Sequence, residues 1–447
     1  MREISNRATR PRPLEIRAMC TPTDPSYSLL ATLVTLLLGA VHPASLTTTT
    51  DLVYALLQSQ SLHPAELIRA VPRPATRRAR QAFRRVRRHL RRPTLGSLAL
   101  TPRLRAAALA WVSDAEVTLV LDSTRCRRWE LFTLGIRWHH RVLPIAWAVL
   151  AYPWPKGAFT PTVVQLITRV LTGWPLDRPL HLVADRGFPS RALFRTLDTW
   201  RATLPLGYTL RLRASDHVAV PDGARHQIGA LADTLTDGSW LCRAATYERH
   251  AAPDDFVTLV IGQDTPPLPR HQRGPADRAR RQQRAEQRRA HITSKHQSPA
   301  HDRVWALLTT EPTVDAARER YAQRFATEGT YRDLKTWGFE AVTAQTDDAS
   351  QIDGLCGLAS LAYLVQMALG VEAGRTDDAS ARARQLLWST TDRLSPFWRG
   401  RQVLHDHAHD WHPWIGQTLV ALRPSLAAMP PRPIHHRRPV HRHQEAA

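Results

Sequence analysis

Residues 115–152 read AEVTLVLDSTRCRRWELFTLGIRWHHRVLPIAWAVLAY. Three runs dominated by apolar residues stand in this stretch, Val117 to Leu121, Leu131 to Trp138 and Val142 to Tyr152. Their short connections and lack of helical spacing predict a meander of strands, the first ending at an acid, Asp122. Downstream, Thr162 to Leu171 reads as a helix, and His181 to Ala184 as a short buried strand that ends at a second acid, Asp185. Pro189 suits the first turn of a following helix, and Tyr208 to Leu212 makes another strand. A meander followed by strands alternating with helices predicts an α/β fold, a mixed sheet covered on both faces.

Outside this stretch the pattern changes. Residues 1–25 are rich in Arg and Pro and read as a flexible arm. Residues 26–108 read as helical and carry the basic run from Arg69 to Arg92, in which Phe83, Val86 and Leu90 supply a narrow apolar stripe. Residues 214–302 break the α/β rhythm with two strand candidates, Trp240 to Tyr247 and Phe256 to Ile261, then a basic stretch from Arg270 to Arg289; this predicts a β-rich insertion with a basic loop. Regular structure resumes with a strand, Val304 to Thr309, and one long helix from Val314 to Trp337. The divisions are therefore 1–25, 26–108, 109–213, 214–302, 303–375 and a C-terminal region, 376–447, that ends in a disordered basic tail.

Composition narrows the function. The chain has 447 residues, with 61 Lys plus Arg against 39 Asp plus Glu and a net charge of +22. Such a surplus favours a polyanionic partner, most commonly nucleic acid, and points to DNA backbone contact by the 26–108 region through Arg77, Arg84 and Arg88. Cys20, Cys126, Cys242 and Cys356 form no CxxC pair, which argues against a disulfide framework or a structural zinc site and fits a reducing cytoplasm. The apolar runs Leu29 to Val41 and Leu355 to Val371 are respectively too short and too polar for a membrane span. Four histidines, His405, His407, His409 and His412, could bind a transition metal adventitiously, and His139 and His140 read as part of a strand pair.

The sharpest feature is on the predicted long helix. Tyr321, Arg324, Glu328 and Lys335 fall at offsets of 3, 7 and 14, within roughly 60° of one another on a uniform α-helix. One carboxylate, two cations and a phenol would then share a stripe about 21 Å long, able to hold a metal and grip phosphates beside it. Only three lysines occur in the chain, and a chance match to this spacing is expected on the order of once in a thousand such sequences.

The spacing Y-x2-R-x3-E-x6-K, together with LVLDST around Asp122 and VADRGFPS around Asp185, resembles the DDE transposases of bacterial insertion sequences, in the subgroup named for its Tyr, Arg, Glu, Lys signature. The resemblance spans about residues 115 to 372. It implies a ribonuclease-H-like catalytic core interrupted by a β-rich insertion, with Asp122, Asp185 and Glu328 as catalytic metal ligands. Two Mg²⁺ ions would be held there, with Mn²⁺ able to substitute, since Mg²⁺ selects hard oxygen ligands. The gaps of 63 and 143 residues leave room for the insertion between Asp185 and Glu328. The resemblance also implies phosphate contacts by Tyr321, Arg324 and Lys335, with Arg186 and Arg211 as further candidates, and an aromatic residue in the insertion, Trp240, that stacks on a flipped base. Double-stranded DNA, as transposon ends and target, is the implied partner of a homodimer working in the bacterial cytoplasm, on the nucleoid. The alternatives are a nuclease without strand transfer and a domesticated relative that only binds DNA. The sequence departs from the family at Phe325, often Trp in relatives, and at Gly329, which weakens a helix by up to ~1 kcal/mol relative to Ala.

Overall fold

The computed structural model describes residues 24–72, 79–235, 239–247, 256–263, 304–337, 339, 346–375, 395–407 and 410–429. The fold is α/β, built on a ten-stranded mixed sheet in the order β3-β2-β1-β4-β5-β10-β9-β8-β6-β7. Strands β1 (Val117–Cys126), β2 (Trp129–Trp138) and β3 (Arg141–Ala151) form the antiparallel meander. Two-residue turns close it, with Arg127 and His139 at positive φ; His139 and His140 are the second of these turns. Helix α6 (Phe159–Leu171) leads to β4 (Leu180–Ala184), and α7 (Arg191–Arg201) leads to β5 (Leu206–Arg211). Both strands lie parallel to their neighbours, β4 to β1 and β5 to β4. Ser190, not Pro189, caps α7, its hydroxyl accepting from the Leu193 amide, so the proline sits one residue outside the helix cap.

The insertion extends this sheet instead of standing apart from it. Its small strands β6 (His217–Ala219) and β7 (Arg225–Gln227) pair antiparallel and lead into α8 (Ile228–Asp233), while β8 (Trp240–Tyr247) and β9 (Val257–Gln263) join β10 (Val304–Thr309), which pairs antiparallel with β5. The arm up to residue 23, Arg77, the basic loop 270–289 and the tail from 430 lie outside the described residues.

Every residue from Val117 to Leu121 and from Leu180 to Ala184 is buried. Because successive side chains alternate faces, this requires cover on both sides of the sheet. One face carries Leu119, Leu121, Leu182 and Ala184 into the main core. The other carries Val183, Val260 and Leu307 against α9 (Val314–Ala322), through Ala317 and Tyr321.

The N-terminal helices α1 (Pro25–Leu38), α2 (Pro43–Ser59), α3 (Pro64–Ala70), α4 (Ala79–Leu90) and α5 (Ser97–Trp111) have no core of their own. They share one with α11 (Ala349–Arg375), α12 (Pro396–Asp406) and α13 (His412–Ala427). Tyr54 packs on Trp411 at 6.2 Å, the Trp411 amide donates to Ser26 at 3.1 Å, and Gln60 donates to Gln366 at 2.9 Å. Helix α11 is long and apolar enough to cross a membrane by composition, yet 94% of its most apolar window is buried within the fold. The pair α1 and α2 passes the same test only if counted together, and is bent by 119°.

Candidate metal and phosphate site

Register alone brings the two aspartates together. Leu121 pairs with Ala184 across β1 and β4, and Ala184 pairs with Leu210 across β4 and β5. One residue further on, Asp122, Asp185 and Arg211 stand in a row, on neighbouring parallel strands about 4.8 Å apart. Alternation puts Asp122 on the face of Thr118 and Asp185 on the face of Val183, the face that α9 covers.

The predicted long helix is unbroken along the chain but not uniform in winding. It runs as α9, a 3₁₀ turn (Gln323–Phe325), α10 (Ala326–Arg332) and a π-helical turn (Asp333–Trp337). The Thr118 hydroxyl donates to Gln323 Oε1 at 2.6 Å, fixing the 3₁₀ turn on β1. Arg324 then reaches down to the acids. Its Nη1 lies 3.0 Å from Asp122 Oδ2 and 4.0 Å from Asp185 Oδ2, and its Nη2 lies 3.9 Å from Glu328 Oε1. All three carboxylates therefore converge on one guanidinium.

Their environments push the aspartates apart. Burial raises Asp122 to about 6; Arg324 and the Ser123 amide oppose this, while Asp185 and Glu328 add to it. Burial pushes Asp185 the same way, but Arg324, the Arg186 amide, the Tyr321 hydroxyl and Arg211 outweigh it and hold this carboxyl below its usual value. Burial works against the Arg324 cation too, yet Tyr321 and the three acids more than compensate and raise its pKa. Carboxylate oxygens are the donors that hard divalent cations such as Mg²⁺ or Mn²⁺ select, although the ligand atoms of these three acids do not all lie within 4.8 Å of one another.

Several sequence expectations change here. Tyr321 is 0% exposed, and its hydroxyl donates to Asp185 Oδ1 at 2.9 Å, so it orients an acid and has no surface for a phosphate. Burial, with Asp185 beside it, pushes its phenol up to about 12. Lys335 lies in the π turn, where burial lowers its pKa and Cys126, Glu130 and Asp122 oppose this. Its half-buried ammonium lies 5.8 Å from the Tyr331 ring and lines a cavity of about 70 Å³ with Cys126, Leu131 and Cys356. Trp240 is packed against Gly262 and the small core around Val260, with the Arg318 guanidinium over its ring at 4.6 Å. It is part of the sheet's packing, not a free stacking face. Arg211 faces Asp185 at 4.0 Å and belongs to the site. Arg186 is half-buried, and its amide and carbonyl shape the turn after β4, the amide donating to Asp185 at 2.8 Å. Arg84 and Arg88 are exposed on α4, Arg87 donates to the uncharged Gln351 at 3.1 Å, and Arg91 alone of these four pairs with an acid, Asp348, at 2.7 Å.

Other residues hold the site without having been singled out in the sequence. Arg213 donates to the carbonyls of Arg186 and Gly187 at 2.7 and 3.0 Å, pinning the loop that carries Asp185. The Tyr331 and Thr133 hydroxyls meet at 2.5 Å, tying α10 and hence Glu328 to β2. Arg141 donates to the fully buried Asp333 at 2.6 Å, passing over Gly329. The signals were isolated Arg and Tyr residues with no distinctive spacing.

At the other end of the same face, Glu116, His181 and Glu311 place ligand atoms within 4.8 Å of one another. Arg320 pairs with both carboxylates, contacting Glu116 and donating to Glu311 at 2.9 Å. Arg320 thus stands at that cluster as Arg324 stands at the three acids. In the C-terminal region, His405 and His412 pair with Asp406 and Asp410 at 3.0 and 2.5 Å, on helix ends the sequence left without order; His409 lies outside the described residues.

A scan against protein-family models and a search of curated proteins both return no match.

Proposed function

We propose that this chain is a DDE-type DNA transposase, cutting and rejoining DNA with Asp122, Asp185 and Glu328 as the ligands of two Mg²⁺ ions. The observation that carries this reading is the meeting of three acids, 63 and 143 residues apart in sequence, within 4.0 Å of a single guanidinium. The arrangement also suits the ribonuclease-H-like core that the resemblance implies. The first acid lies on β1, the second follows the neighbouring parallel strand, and the third sits on α10, which packs on β1 and β3. The extra strands lie between the second and third acids, where the family carries its insertion.

When bound, the ions would generate a nucleophilic oxygen at neutral pH and neutralise the phosphate under attack. The chain's own groups do the rest. Tyr321 and Arg211 orient Asp185, the Ser123 amide holds Asp122 at 2.8 Å, and Arg324 stands ready at the carboxylates for a phosphate. Hydrolysis at a transposon end would free a 3′-hydroxyl, which then attacks a target phosphodiester. Arg84 and Arg88 would contact the DNA backbone, and pairing of two ends would require a homodimer. The fold has no exposed apolar spanning helix among the described residues, and the expected setting is the bacterial cytoplasm.

Incubation of the protein with Mg²⁺, DNA carrying the sequences that flank its coding region, and a target plasmid tests this. Joined products are expected; cleavage without joining would indicate a nuclease, and binding without cleavage a domesticated relative. Glu328→Gln is expected to keep DNA binding and lose cleavage, and equal cleavage by that variant would refute the role of Glu328.

A further inference from the structure

Arg324 is more than a neighbour of the acids. Its side chain is 10% exposed, its Nε is buried without a hydrogen-bond partner, and its Nη atoms approach oxygens of all three carboxylates at 3.0, 4.0 and 3.9 Å. It is the cation at the point where three anions meet. A divalent ion would need the same oxygen lone pairs at about 2.1 Å, closer than the guanidinium stands. Two positive groups sharing those oxygens would also repel at short range and low dielectric. Both cannot keep their places.

We propose that Arg324 and divalent metal exchange on Asp122, Asp185 and Glu328, so that metal entry releases the guanidinium to a DNA phosphate. The inference rests on the reading of these acids as metal ligands and adds a regulatory device to it. The released group has somewhere to go. Phe325, 42% exposed, already offers its ring at 5.0 Å from the Arg324 guanidinium carbon, on the outward side of the 3₁₀ turn. From there the planar fork can take a phosphate in bidentate fashion. Two consequences follow from linkage. Removing the Arg324 charge strengthens metal binding, and DNA strengthens metal binding only while Arg324 is present to be drawn away.

The test is Mn²⁺ binding to the full chain, read from the electron paramagnetic resonance signal of the free ion. Wild type, Arg324→Gln, Arg324→Lys and Glu328→Gln are compared with and without short duplex DNA. Arg324→Gln is expected to bind Mn²⁺ about tenfold or more tightly than wild type, the order set by losing a unit charge a few ångströms away. DNA is expected to tighten binding to wild type and not to Arg324→Gln. Arg324→Lys keeps the charge on a single point and is expected to fall between; it carries the test should the Gln variant lose its circular dichroism signature. Equal or weaker binding by the Arg324 variants, with Glu328→Gln still weakening it, overturns the exchange and leaves the metal reading standing. Binding absent from wild type, or indifferent to Glu328→Gln, overturns both.

Discussion

Two aspartates in step on adjacent strands are held differently by what surrounds them. Each receives a backbone amide and Arg324, but Asp122 is the more buried and has two other acids beside it, while Asp185 also receives a phenol and Arg211. Removing the Tyr321 hydroxyl, as in Tyr321→Phe, is expected to raise the Asp185 pKa and to cost about 1 kcal/mol of stability, the usual net worth of such a bond. An NMR titration of the side-chain carboxyl and a thermal melt would read both. Two buried histidines set a pH dependence elsewhere. Burial, with Arg92 and Arg85 nearby, lowers His89 to about 4, and burial with Arg320 nearby lowers His181 to about 3. Both are neutral in the fold, His89 against Thr49 at 3.0 Å and His181 against Thr209 at 2.8 Å. Their folded pKa values lie below the ordinary 6.5, so their stabilisation is complete above pH 6.5 and is lost as pH falls through 4 and then 3. Melting temperature is expected to drop between pH 6.5 and 4.5, with a shallower slope in His89→Gln; each histidine contributes up to ~1.4 kcal/mol per pH unit.

At the scale of the element, the helix that carries Glu328 shows what spacing can and cannot convey. An acid at the end of β4, and an Arg and a Glu four residues apart, were legible because strand and helix periods act over one or two turns; the strand expected to end at Asp122 instead runs on to Cys126, held by its antiparallel pairing with β2. The position of Lys335 was less legible, because a uniform 100° per residue does not hold across a 3₁₀ turn and a π turn. Those turns answer to tertiary contacts: Gln323 on Thr118, and Asp333 drawn to Arg141 and to the Tyr363 hydroxyl at 3.3 Å. Gly329, which looked like a weak point by propensity, lies under Arg141: a Cβ there would stand 2.7 Å from Arg141 Nη1 and push a guanidinium that the buried Asp333 holds at 2.6 Å. Gly329→Ala is therefore expected to destabilise the protein by ~1–3 kcal/mol, through overpacking and a weakened pair with the buried Asp333, against the helix-propensity gain. Chemical denaturation gives the sign.

Over the whole molecule, the sequence divided what the structure joins. The insertion strands extend the main sheet, since β9 pairs with β10 in register from Thr258 to Gln263, a long-range pairing that no local pattern announces. The N-terminal helices share their core with the C-terminal ones, through pairs such as Tyr54 with Trp411 and the Leu62 amide with the Phe339 carbonyl at 2.8 Å. A fragment of residues 24–112 is accordingly expected to lack a cooperative unfolding transition by circular dichroism. The functional account depends on the same kind of joining, three distant acids acting as one unit. Its most direct test is the Mg²⁺-dependent cleavage rate of duplex DNA carrying the flanking sequences, in wild type and in Asp122→Asn, Asp185→Asn and Glu328→Gln, each checked for folding. The account expects each single variant to fall by about a thousandfold or more to a common floor. Cleavage within about tenfold of wild type in any one of the three would contradict it.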